Sequence, residues 1–341
     1  MKLKIKAAVA VSLAGVLALS ACGGESAAER QSKKVDVVGF SILKTANAEV
    51  FDAFKKTDDG NGADLTPSYG PSGDQSRAVE AGQNADFVHL SLASDVTRLV
   101  DAGLVAKDWD QGPNKGIVTS SVVVFVVRKG NPKNIQTWDD LVQEGVEVIT
   151  PHPGSSGGAR WNILAAWGSV IANGGSEKEA EAYTKELIDH TIKLPGSARD
   201  ATSAFVDQGQ GDVLLSYENE AILSKQAGAE VDYVIPPETL LIENPGAITT
   251  EASDAAKSFY DFLLTEEAQT LYAKFGFRPV GVEVDTEVEG ANDPADPFPA
   301  PQKQLTIDGD FGGWGEAKDK YFDEKSGIII QLLNEAGKGA E

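Results

Sequence analysis

The run Ser155-Ser156-Gly157-Gly158 leads directly into ARWNILAAWG, a stretch with helical spacing and a heavily apolar face. Free N–H groups and the positive end of a helix dipole converge at such an opening, a combination that suits an anion. A glycine pair at a helix start costs backbone entropy and brings no side-chain cap, so the exposed amides need another partner. On this motif alone, a tight turn needing glycine for packing explains the pair equally well. Three other openings carry capping-box patterns, Ser72 to Gln75, Ser176 to Glu179 and Ser197 to Asp200, each predicted to satisfy its own amides.

Catalytic signatures are missing. The three histidines, His89, His152 and His190, show no H-E-x-x-H spacing and have no cysteine beside them, so they make no zinc set. No Gly-Lys-Ser/Thr occurs to build a phosphate-binding P-loop. The segment GPSGD at 70–74 is one glycine short of a nucleophile elbow, and no histidine is placed by sequence to activate Ser72. An enzyme on phosphate or sulfate esters would need a metal cluster or an activated nucleophile, and the sequence offers neither. No catalytic residue, metal or cofactor is assigned.

The elements that must position these openings belong to an ordinary globular chain. Its 341 residues suggest about two domains. With 41% hydrophobic and 24% charged residues, a full core is expected. The formal charge of −22 argues against nucleic acid, because no basic stripe is present to meet phosphates.

Lys2, Lys4 and Lys6 precede a short apolar run from Ala7 to Leu19, then Ser20-Ala21-Cys22-Gly23. That order describes a secretory signal over 1–21, too short to span a membrane well. Cys22, the one cysteine, cannot form an internal disulfide and sits at the processing point. The segment resembles a bacterial lipoprotein signal, which makes Cys22 the lipidated first residue and 22–34 a flexible tether.

Downstream, strand-like runs alternate with helical patterns: VDVVGFS, then ANAEVFDAFKK; ADFVHLSL, then SDVTRLVDAG. VTSSVVVFVVRKG is the longest β-branched run in the chain. The alternation predicts an α/β protein with mainly parallel sheets covered by helices. Two crossings, at about 118 and in VDYVIPPETLLIENPGAI, divide it into lobe I (35–118 and 240–341) and lobe II (119–239). The Pro-rich tail and last helix are assigned to lobe I.

VVRKGNP, ITPHPGSSGGARWNILAAWG, SARDATSAFVDQGQGDVLLSYENEAIL and EEAQTLYAKFGFRPV are similar to the sulfate-binding proteins of bacterial ABC importers, over about Val35 to Val280. The resemblance implies a two-lobed type 2 periplasmic-binding-protein fold, hinged on two crossing strands. It also implies a monomeric receptor that hands sulfate, or thiosulfate, to a permease and its ATPase. The family holds its dianion through uncharged donors. Carried over residue by residue, Ser156 gives a hydroxyl, and Leu43, Gly157, Gly158 and Ala198 give backbone amides. Ser72 stands at a first-lobe contact, and Tyr217 replaces a family tryptophan. A tyrosine oxygen can accept as well as donate, so discrimination against protonated phosphate is expected to be less absolute than with an indole. Arg160 and Arg199 are expected to brace the loops from behind.

Overall fold

The β-branched run becomes β4 (Ile117–Arg128), in which every residue from Val118 to Val127 is buried. Val123, Phe125 and Val127 join one core cluster, while Val122, Val124 and Val126 join another. Both faces of the strand are covered, which explains a continuous apolar run in place of alternation. The computed structural model that shows this describes residues 33–339. Cys22 and the signal segment therefore lie outside the described residues.

On one side of β4 stand β1 (Lys34–Phe40), β2 (Asp64–Gly70) and β3 (Phe87–His89), all parallel, covered by α1 (Lys44–Phe54), α2 (Ser72–Glu80) and α3 (Ala93–Asp101). On the other side β5 (Val148–Ile149), β6 (Thr191–Lys193) and β7 (Val213–Tyr217) are again parallel. Their helices are α4 (Gly157–Ala172), α5 (Glu177–His190), α6 (Ala198–Val206) and α7 (Glu218–Gln226), and β8 (Val231–Val234) pairs with β4. The strand order is β2-β1-β3-β9-β4-β7-β5-β6, where β9 spans Glu238–Ile248.

Two long antiparallel strands join the halves. β4 pairs with β9 from Thr119↔Asn244 to Val122↔Leu241, then with β7 from Val123↔Tyr217 to Val127↔Val213. β9 continues to β3, matching His89 to Gly246 and Phe87 to Ile248. Gly246 is needed at this crossing: a Cβ there would lie 2.7 Å from both the Phe87 ring and Val118 Cγ2. The fold is thus the expected two-lobed α/β architecture with its hinge of two crossing strands.

Two expectations change. Ser176 and Glu179 form both arms of their capping box, and Ser197 Oγ accepts from the Asp200 amide at 3.0 Å. Ser72, however, is not a cap. Pro71 occupies the N-cap of α2, and the Ser72 hydroxyl turns away to Asp95 on α3 at 2.6 Å. Asp74 pairs with Arg77 instead of serving the helix start.

The C-terminal segment packs against helices of both halves. After β9 come α8 (Asp254–Leu263) and α9 (Glu266–Lys274), and β10 (Lys303–Leu305) then pairs in parallel with the start of β9. Next is α10 (Ile307–Asp310); α11 (Gly313–Phe322) lies against α3 and α4, and α12 (Ile328–Glu335) lies against α5. Trp314 meets Trp161 edge-on at 4.7 Å, and Tyr321 meets Trp167 at 5.1 Å. The apolar face of α4, buried from Gly157 to Ser169, needs this cover. Among the described residues no helix is long and apolar enough to cross a membrane.

Candidate functional site

The openings of α4 and α6 meet the end of β7. A Cβ added to Gly158 would lie 3.3 Å from Ala198 Cβ, 3.4 Å from Ser156 Oγ and 3.5 Å from the Tyr217 ring. Ser156 is the N-cap of α4 but makes no capping bond, and the first turn carries no acidic side chain. By contrast, α6 is capped by Ser197 and α5 by Ser176. The first amides of α4 have no intrahelical acceptor, so Gly157 and Gly158 offer their N–H groups to whatever enters.

The first half closes over this point. A Cβ on Gly157 would lie 2.5 Å from Ser91 Oγ. The Gly73 amide donates to Ser155 O at 3.1 Å, and the Ser91 amide donates to Ser72 Oγ at 2.9 Å. Trp161 Nε1 donates to Ser91 O at 3.1 Å, so an indole on α4 grips the loop after β3. Leu43, fully buried, ends the 3-10 turn at Ser41–Leu43. That turn is tied in from the other half by Arg199 Nη2, which donates to Ile42 O at 3.4 Å. The chain thus brings Ser72, Ser156, Gly157, Gly158, Ala198 and Tyr217 around one buried locus, with Leu43 on its first-half flank.

Tyr217 is 1% exposed and lies 2.7 Å from Ser91 Oγ through its hydroxyl. Burial pushes its phenol well above the ordinary value, so the hydroxyl keeps its proton. The one hydroxyl proton of Ser72 goes to Asp95 while its oxygen accepts from the Ser91 amide, which leaves its first-turn amide as the donor it can offer an anion.

Positive charge near the site is matched locally. Arg199 binds the buried carboxylate of Glu220 at 2.8 Å, and burial, opposed by Arg199, raises the Glu220 carboxyl. Arg160 donates through Nε to Pro153 O at 2.9 Å, holding the loop before α4. Burial raises the Asp95 carboxyl, and the Arg160 charge is the largest influence pulling it back. Arg199 is thus paired with a carboxylate and Arg160 is held by a backbone carbonyl, while the helix openings turn dipoles and free amides toward the site. Among the described residues no group of three or more His, Cys, Asp or Glu is placed to hold a metal ion.

Sequence reading missed Ser91, Asp95, Trp161 and Asn244. Asn244 donates to Ser91 O at 3.1 Å and to the Tyr217 hydroxyl at 3.4 Å. Its one signal was a polar residue inside an extended run, directly before a proline, in LLIENPGAI.

Two α/β halves closed on bare helix openings are the hallmark of a solute receptor with a hinged cleft. The chain belongs to the bacterial extracellular solute-binding protein family, whose model matches residues 35–278. It is 40% identical to the sulfate-binding protein of Synechococcus elongatus, covering 92% of this chain and 91% of that one. It is 32% identical to the thiosulfate-binding protein of Pseudomonas aeruginosa, covering 87% and 91%. Among solved structures, the sulfate-binding protein SubI from Mycobacterium tuberculosis superposes with a TM-score of 0.79 at 45% identity, covering 85% of this chain and all of that one.

Proposed function

We propose that this chain is the extracytoplasmic receptor of an ABC importer, and that it closes on sulfate and delivers it to the permease and ATPase subunits. The amides of Leu43, Ser72, Gly157, Gly158 and Ala198 and the hydroxyls of Ser156 and Tyr217 hold the dianion. Arg160 and Arg199 brace the loops without touching it. The carrying observation is the uncapped Gly157-Gly158 opening, packed against Ala198 and Tyr217, with Arg199 already paired to Glu220 and Arg160 bonded to Pro153 O. Thiosulfate, which shares the charge and most of the shape, enters the same site; the 32% identical thiosulfate-binding relative supports this.

The receptor is a monomer that carries its ligand unchanged. Lobe I comprises 35–118 and 240–341, lobe II comprises 119–239, and α11 of the C-terminal segment lies against helices of both. Cys22 carries the lipid anchor and the following residues form the tether.

Calorimetric titration of the ligand-free protein with sulfate, thiosulfate, molybdate, tungstate and phosphate tests the reading. One sulfate per chain, competed by thiosulfate, is expected. A site that takes phosphate or molybdate and ignores sulfate would overturn it.

A further inference from the structure

A single carbonyl fixes the direction of a buried chain of hydrogen bonds that runs from the hinge to the ligand site. Ser91 O can only accept, so the end of the Asn244 side chain 3.1 Å away must be its NH2 group. The carbonyl end of Asn244 therefore faces Thr119 Oγ1 at 3.3 Å, and Thr119 must donate to it. Having spent its one proton, Thr119 can only accept from His89 Nε2 at 3.2 Å. That requires a neutral imidazole protonated on Nε2. Burial, which lowers the His89 pKa to about 3, keeps the ring neutral, and Nδ1 has no partner, as that tautomer allows. At the other end, the second N–H of Asn244 points to the Tyr217 oxygen at 3.4 Å.

We propose that Asn244, on hinge strand β9, is a specificity-determining positioning residue: by donating to the Tyr217 oxygen, it commits the Tyr217 hydroxyl to act as a donor toward the bound anion. The expectation that this tyrosine would turn and accept from a protonated ligand then fails, because the accepting position is filled from behind. The proton of Tyr217 has two places to go, Ser91 Oγ at 2.7 Å or the anion. Ser91 Oγ is itself within 3.2 Å of the Trp161 indole donor, so it too turns its own proton outward when Tyr217 donates to it. Sulfate has no proton at neutral pH, whereas phosphate keeps at least one P–OH. With Asn244 in place, the Tyr217 oxygen is closed to that hydroxyl as an acceptor, and a buried polar group that loses its partner is strongly disfavoured. Thr119 and His89 support this by holding the amide of Asn244 in one orientation.

The inference rests on the sulfate reading above, and the wild-type titration separates the two. Absence of sulfate binding in the wild type defeats both; sulfate binding with unaltered discrimination in the variants defeats this one alone. The measurement is the ratio of sulfate to phosphate affinity by calorimetry at pH 8, where phosphate is chiefly a dianion and differs from sulfate mainly by one proton.

Asn244→Ala should lower that ratio by about tenfold or more, the scale of one unpaired buried hydroxyl. In a Tyr217→Phe background the same change should alter the ratio by less than about twofold, because the coupling runs through the tyrosine oxygen. Thr119→Val, a near-isosteric change, should act in the same direction but less strongly, and decides the matter if Asn244→Ala fails to fold. A folded Asn244→Ala or Thr119→Val protein with wild-type discrimination, or an equal loss with and without the tyrosine hydroxyl, would overturn the proposal.

Discussion

Ser91 Oγ and the Tyr217 hydroxyl lie 2.7 Å apart, although 126 residues separate them and they come from opposite halves of the molecule. Trp161 and Asn244 converge on the same serine. The contact between the halves is therefore made at the proposed ligand site, and substitutions there should affect closure and binding together.

Tyr217→Phe deletes the hydroxyl and little else. Sulfate affinity should fall by about 1–2 kcal/mol, the usual loss for a hydrogen bond to a charged partner. Calorimetry of the two proteins checks it, and equal affinities would remove Tyr217 from the binding set.

Gly157→Ala separates folding from closure. The new Cβ would sit 2.5 Å from Ser91 Oγ and 3.0 Å from Leu92 Cγ when the halves meet. Within α4 itself, alanine is favoured over glycine by up to about 1 kcal/mol. The ligand-free variant should melt no lower than wild type, yet bind sulfate at least about tenfold more weakly, since closure must push the loop after β3 aside. Thermal melts with and without sulfate report both effects.

The openings at Gly157-Gly158 and Ser197-Ala198 were legible in the sequence because helix starts are written locally. So was the doubly buried β4, whose unbroken β-branched run has one physical cause. Ser72 misled because its pattern fits a cap, while its true partner, Asp95, lies 23 residues downstream on another helix. Ser91 and Asn244 were illegible for a related reason. Their partners are set by how β3, β7 and β9 come together, and no local spacing encodes that. The C-terminal region reads as one helix near Trp314 to Asn334, where the chain forms two, and the seat of α11 on α4 depends on Trp161 and Trp167 facing outward from that helix.

His89 gives stability a definite dependence on pH. Its pKa is lowered from 6.5 to about 3 in the fold, so below pH 6.5 the unfolded chain takes up a proton that the folded chain refuses. Stability from this group is complete above that range and is lost as pH falls from 6.5 toward 3, by up to about 1.4 kcal/mol per pH unit. Asp95, Glu218 and Glu220, raised by burial, act with the opposite sign, gaining stability as they protonate on the way down. The difference between wild type and His89→Gln isolates the histidine. Denaturant melts from pH 7 to 4.5 should show the gap between the two proteins shifting in the variant's favour as pH falls, and parallel curves would contradict it.

Cys22→Ser should move the protein from the membrane fraction to the soluble fraction without altering sulfate affinity. A single acyl chain binds membranes only marginally, so stable retention of the wild type also implies more than one chain. Retention of the serine variant would count against the anchor.

The most direct test of sulfate held by uncharged donors at the opening of α4 is the sulfate affinity of Gly157→Asp beside wild type. The substitution places a carboxylate where the charge of the dianion should lie, and like charges a few ångströms apart in a partly dry cleft repel by several kcal/mol. With circular dichroism confirming the fold, the expected result is one sulfate per wild-type chain and a loss of at least about a hundredfold in the variant. Undiminished sulfate binding by a correctly folded Gly157→Asp protein would contradict it and move the site elsewhere.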